Sequence, residues 1–143
     1  MAEPAPRILI VEDLDDHREL LTQVLLDLGY AVTSAVNGRA ALELIRDGLR
    51  PALVLLDLLM PVMDGAKFLV DLRAHADPVL AGIPVVLMTA DPGEVAERIG
   101  GAHPDLILAK PFGLKDLRRV VVKFCGQGAG SPRWGSSEVH DLA

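Results

Sequence analysis

The run Leu53-Val54-Leu55-Leu56-Asp57 leaves this chain few folds to choose from. Four successive aliphatic residues without polar alternation, closed by an acid and followed by Pro61 and Asp64-Gly65, fit a strand covered on both faces. Such a strand belongs inside a parallel sheet with helices above and below it. Similar short runs recur at 7–11, 31–35, 84–88 and 105–109, and segments of helical spacing separate them. Leu20, Leu21, Val24, Leu25 and Leu28 form one apolar stripe; Asp15 and Asp16 begin that helix and Gly29 stops it. Asn37 caps a helix carrying Ala41, Leu44 and Ile45, which Gly48 closes. A third helix starts near Asp64, carries Phe68, Leu69 and Leu72, and runs to Asp77-Pro78. Asp91-Pro92-Gly93 opens a weak helix with Val95 and Ile99 that Gly100-Gly101 breaks, and the last helix uses Leu114, Leu117, Val120, Val121 and Phe124. Five strand–helix units in strict alternation predict an α/β, doubly wound, five-stranded parallel sheet with helices on both faces and right-handed crossovers. The common strand order at this size is 2-1-3-4-5.

The totals narrow the function. Half of the 143 residues are hydrophobic, with only three Phe, one Trp and one Tyr, so the expected core is aliphatic. A net charge of -6 disfavours direct nucleic-acid binding, which needs clustered Lys and Arg. Cys125 is the only cysteine, which rules out an internal disulfide and a cysteine-based zinc site. No apolar run is long enough for a membrane span, and the expectation is a reduced, soluble, cytoplasmic domain. Residues 1–6 read as a loose leader, 7–125 as the folded domain, and 126–143 as a Gly/Ser-rich tail too short and polar to form a DNA-binding effector. His17, His75, His103 and His140 show no ligand spacing and are expected at the surface.

In the predicted order, strands 1, 3, 4 and 5 end on Glu12-Asp13, Asp57, Thr89 and Lys110. Each alone fits an ordinary turn or helix cap. Together they place carboxylates side by side, and a pair about 4 Å apart repels by roughly 4 kcal/mol at an effective dielectric near 20. Either one acid keeps its proton or a cation sits among them. All-oxygen ligands favour a hard ion such as Mg²⁺. With a lysine and a hydroxyl beside it, a carboxylate becomes a site for accepting a phosphoryl group.

Glu12-Asp13, Asp57 with Met60-Pro61 and Asp64-Gly65, Thr89-Ala90, and Lys110-Pro111-Phe112 together resemble the receiver domain of two-component response regulators, a flavodoxin-like fold. The resemblance covers roughly 7–125. It implies that Asp57 takes phosphate from a sensor histidine kinase or a histidine phosphotransfer protein. It also implies that Asp13, Asp57 and the Leu59 carbonyl hold Mg²⁺ (or Mn²⁺), with Glu12 acting through water. Thr89 and Lys110 hold the phosphoryl oxygens, and the Lys110–Pro111 peptide is cis. A stand-alone receiver would then switch a face built from the fourth helix, the fifth strand and the last helix for a downstream protein, or relay phosphate onward. It would have no enzyme activity beyond Mg²⁺-dependent self-phosphorylation and autodephosphorylation. Either a monomer or a homodimer fits.

Two positions depart from the family pattern. Ile107 stands where an aromatic switch residue is usual. Leu59 puts an apolar side chain where many relatives have a polar one, which predicts slow loss of the acyl phosphate. Leu59 also argues against the enzyme-class rival, an aspartate-nucleophile phosphatase, which needs an acid two residues after its nucleophile. A third reading, a receiver-like binding module that is never phosphorylated, conflicts with the intact set of acids, Thr89 and Lys110.

Overall fold

Alternation within single strands decides how the layers pack. The computed structural model describes residues 5–58, 65–95, 99 and 102–126. Strands β1 (Arg7–Val11), β2 (Ala31–Ala35), β3 (Leu53–Asp57), β4 (Val85–Thr89) and β5 (Leu106–Ala109) form one sheet in the order β2-β1-β3-β4-β5. All four pairings are parallel, as the alternation of elements predicts. Successive side chains point to opposite faces. Leu9, Val11, Val54, Leu56, Val85 and Leu87 therefore pack with helices α2 (Gly38–Arg46) and α3 (Gly65–Arg73). Ile8, Ile10, Leu53, Leu55, Val86 and Met88 pack with α1 (Asp15–Asp27) and with the last helix, Leu114–Cys125. Both faces of the three central strands are thus sealed, which is why their sequences lack polar alternation.

Local chemistry sets the boundaries. Asn37 caps α2 by accepting the Ala40 N–H at 2.8 Å. Gly48 takes φ +117° just beyond that helix, a conformation glycine adopts without strain. The expected third helix is shorter than its sequence suggests. It ends at Arg73, and Asp77 starts a separate single turn, α4 (Pro78–Ala81), by accepting the Val79 N–H at 2.9 Å. The last helix, α5, is the Leu114–Cys125 segment. Strands β4 and β5 each begin one residue later than expected. The Asp105 carboxylate explains this, since it accepts from Val85 N and from the Arg73 guanidinium, both at 2.8 Å, and so acts as a turn residue.

Two of the predicted core positions are exposed. Leu20 is 65% exposed and Leu114 45% exposed. Leu21, Leu25 and Leu28 take the buried face of α1, while Leu20 turns toward the loop after β5, where it lines a cleft with Met88 and Phe112. Val95 and Ile99 are buried, as their spacing predicts, and follow a 3₁₀ turn at Pro92–Glu94. The remainder of the expected weak helix, Leu59 to Asp64, and the tail beyond 126, with Trp134, lie outside the described residues. Burial pushes the Cys125 thiol up to about 11, in keeping with a packing residue rather than a reactive one. No helix among the described residues is long and apolar enough to cross a membrane.

Candidate phosphoacceptor site

Strand register builds the site. Val11 pairs with Leu56, so the next step along each strand sets Glu12 beside Asp57. Asp57 pairs with Met88, and Thr89 with Ala109. Thr89 and Lys110 therefore follow at the same carboxyl-terminal edge, the edge where open α/β sheets bind ligands. The Lys110 N–H donates to the Thr89 carbonyl at 2.8 Å, and the Lys110–Pro111 peptide is cis, as the family resemblance implies.

The side chains converge as the strand ends require. Glu12, Asp13 and Asp57 each offer a carboxylate oxygen, and these oxygens lie within 4.8 Å of one another. Glu12 is 1% exposed and Asp57 8%. Lys110 Nζ donates to Asp57 Oδ1 at 3.3 Å. Thr89 is buried; its Oγ1 accepts the Asp91 N–H at 3.1 Å, which leaves the hydroxyl hydrogen free to be donated elsewhere. Of the positions proposed from sequence, only Leu59 falls outside the described residues.

Burial, reinforced by the neighbouring Asp57 carboxylate, drives the Glu12 carboxyl from its ordinary 4.5 up to about 8. The Lys110 charge pulls the other way, and Asp13 adds to the rise. Glu12 Oε2 is buried without a hydrogen-bond partner. An acid cluster that strains one member toward its proton, with an orphaned oxygen, is chemically suited to a hard divalent ion. These residues fit Mg²⁺ or Mn²⁺.

The sequence pattern does not reveal what Arg18 and His17 do here, and it marks Gly65 only as part of a motif. Arg18, on α1, donates from Nη1 to the backbone carbonyl of Glu12 at 3.0 Å and reaches that of Asp13 at 3.5 Å, while its Nη2 pairs with Asp15. It therefore pins the loop that carries two of the three acids. His17, assigned to the surface, is 56% exposed, but its Nδ1 lies 3.0 Å from Glu12 Oε1. Gly65 opens α3 directly against β3. Its N–H donates to the Leu58 carbonyl at 2.8 Å, and a Cβ at this position would fall 2.2 Å from the Asp57 carbonyl oxygen. Asp64-Gly65 was the available signal for this close approach; Arg18 and His17 gave none, because their partners are set by how the loop folds back.

A family model for the response regulator receiver domain matches residues 8–122. Over 117 residues the chain is 38% identical to the regulatory protein AtoC of Escherichia coli (strain K12), covering 80% of this chain and 24% of that protein. It is 41% identical over 113 residues to the response regulator MprA of Mycolicibacterium vanbaalenii, covering 78% and 46%. The chain thus spans between a quarter and about half of the curated relatives it matches. Among solved structures it resembles the receiver domain of the sensor histidine kinase PA1611 from Pseudomonas aeruginosa PAO1, which has a magnesium ion in its active site cleft. That match has a TM-score of 0.75 at 29% identity and covers 85% of this chain and 98% of that one. TrrA from Thermotoga maritima, in complex with Mg²⁺ and BeF, matches with a TM-score of 0.72 at 30% identity, covering 83% and 98%. On the family match, the strand order and the acid cluster at the sheet edge, the chain belongs to the response regulator receiver domain family.

Proposed function

We propose that Asp57 accepts a phosphoryl group from a phosphohistidine on a sensor histidine kinase or a histidine phosphotransfer protein. The observation that carries this reading is the Lys110 ammonium 3.3 Å from Asp57 Oδ1, inside a cluster of three carboxylates. A carboxylate oxygen of Asp57 attacks the phosphorus; the bond from phosphorus to the donor imidazole nitrogen breaks, and its electron pair leaves with the imidazole. The product is an acyl phosphate on Asp57. Asp13, Asp57 and the Leu59 carbonyl would hold Mg²⁺ or Mn²⁺, with Glu12 acting through water. When bound, the ion neutralises charge that builds up on the phosphoryl oxygens. Lys110 supplies a second positive charge from the side, and the Thr89 hydroxyl donates to a phosphoryl oxygen. The gain over an isolated aspartate comes from positioning and charge neutralisation.

The chemistry needs no further catalytic group, so this domain acts as a phosphoacceptor that also loses its phosphate by hydrolysis. Phosphorylation biases a two-state equilibrium in the face formed by the segment after Asp91, β5 and α5, which then binds a downstream protein. Ile107, 40% exposed on β5, supplies an aliphatic contact on this face. The test is incubation with acetyl phosphate and Mg²⁺, read as intact mass. The wild-type chain gains one phosphoryl group, and Asp57→Ala gains none. Equal labelling of both, or of neither, refutes the assignment.

A further inference from the structure

We propose that His17 is a positioning residue for the acid cluster, holding the Glu12 carboxylate by one oxygen so that the other is directed to the water through which Glu12 meets the cation. This inference rests on the proposed role of Asp57 and extends it to a residue outside the acid set.

The two Glu12 oxygens differ in their surroundings. The side chain is 1% exposed, so neither oxygen can count on bulk water. Oε1 lies 3.0 Å from His17 Nδ1, whereas Oε2 is buried with no hydrogen-bond partner. A glutamate carboxyl has three side-chain torsions and, unanchored, exchanges its oxygens freely. The imidazole removes that freedom by holding Oε1, in a carboxyl group that brings an oxygen within 4.8 Å of oxygens of Asp13 and Asp57. His17 sits in the first turn of α1, next to Arg18, whose Nη1 holds the Glu12 carbonyl at 3.0 Å. One helical turn therefore fixes residue 12 at both its backbone and its side-chain end. The ring also lines a cleft of about 580 Å³ that includes Glu12 and Lys110. Partners that orient a ligating group in this way commonly govern metal affinity without touching the metal.

The experiment compares the full chain with His17→Ala and His17→Asn. Asn carries an amide nitrogen close to the place of Nδ1 and restores only the hydrogen bond. Mg²⁺ affinity is measured by isothermal titration calorimetry at fixed pH, with metal-free thermal melting to show that each variant is folded. His17→Ala is expected to weaken Mg²⁺ binding by roughly tenfold, and His17→Asn to recover most of that loss. Imidazole ¹⁵N NMR of the Mg²⁺-loaded wild type is expected to show hydrogen on Nδ1. Unchanged affinity in His17→Ala, an Asn variant no better than Ala, or a bare Nδ1 each overturns the inference. A folded wild type that takes up no Mg²⁺ overturns instead the reading of the acid cluster on which the inference depends.

Discussion

Glu12 makes the metal-free protein sensitive to pH in a direction opposite to that of most carboxylates. Unfolded, its carboxyl loses its proton near 4.5; folded, near 8. Between those values the folded chain carries a proton that the unfolded chain has released. Rising pH therefore favours unfolding across this window. The stability associated with this group is fully present below 4.5 and is lost as pH climbs through about 8. The full displacement corresponds to on the order of 5 kcal/mol. Relaxation and water entry reduce the cost of a buried charge, so a loss of about 2 kcal/mol or more is expected. The assay is urea unfolding from about pH 5 to about pH 9 for wild type and Glu12→Gln, without divalent ions. The neutral variant cancels contributions from other titrating groups, and the difference between the two curves should grow with pH, the variant becoming the more stable. Adding Mg²⁺ should restore wild-type stability at high pH, by about 2.7 kcal/mol at a hundredfold excess over its Kd. Parallel pH profiles, or Mg²⁺ protection as strong for Glu12→Gln as for wild type, would refute the reasoning.

Other perturbations separate the parts of the site. Gly65→Ala should destabilise the domain by about 3 kcal/mol, because the new methyl meets backbone of Asp57 and Leu58 that cannot move aside; a denaturation midpoint within error of wild type would contradict this. Lys110→Gln should split two properties that usually move together. Removing the ammonium beside Asp57 tightens Mg²⁺ binding in a calorimetric titration, while phosphoryl uptake from acetyl phosphate slows on the order of 100-fold. Leu59→Asn should shorten the lifetime of the phosphorylated form, followed by loss of the hydroxylamine-labile acyl phosphate; equal or slower decay would reject the idea that Leu59 hinders the hydrolytic water.

Much of this site was legible because strand ends in a parallel sheet are fixed by register. Once Val54 to Leu56 is read as a strand buried on both faces, the strand order brings Glu12, Asp57, Thr89 and Lys110 to one edge. The misreadings share a physical cause. Leu20 and Leu114 have the hydrophobicity of core residues but flank the loop after β5, and periodicity does not distinguish the sheet-facing side of a stripe from its shoulder. The break between Arg73 and Asp77 depends on Arg73, which donates to the carbonyls of Ala81, Ile83 and His103 and pairs with Asp105. These partners are distant in sequence, so no local pattern announces them. The roles of His17 and Arg18 were hidden for a different reason: Glu12 lies only five and six residues before them, and the path of the loop between β1 and α1, which no spacing rule gives, decides that they meet it.

Chemical trapping of the phosphorylated residue tests the central claim most directly. After reaction with acetyl phosphate and Mg²⁺, borohydride converts an aspartyl phosphate to homoserine, and peptide sequencing by mass spectrometry locates it. Homoserine at position 57, dependent on Mg²⁺ and sharply reduced in Lys110→Gln, is the predicted result. Homoserine at any other acid in the wild-type chain, or an unreduced Asp57 under conditions that load the protein with Mg²⁺, would contradict the account.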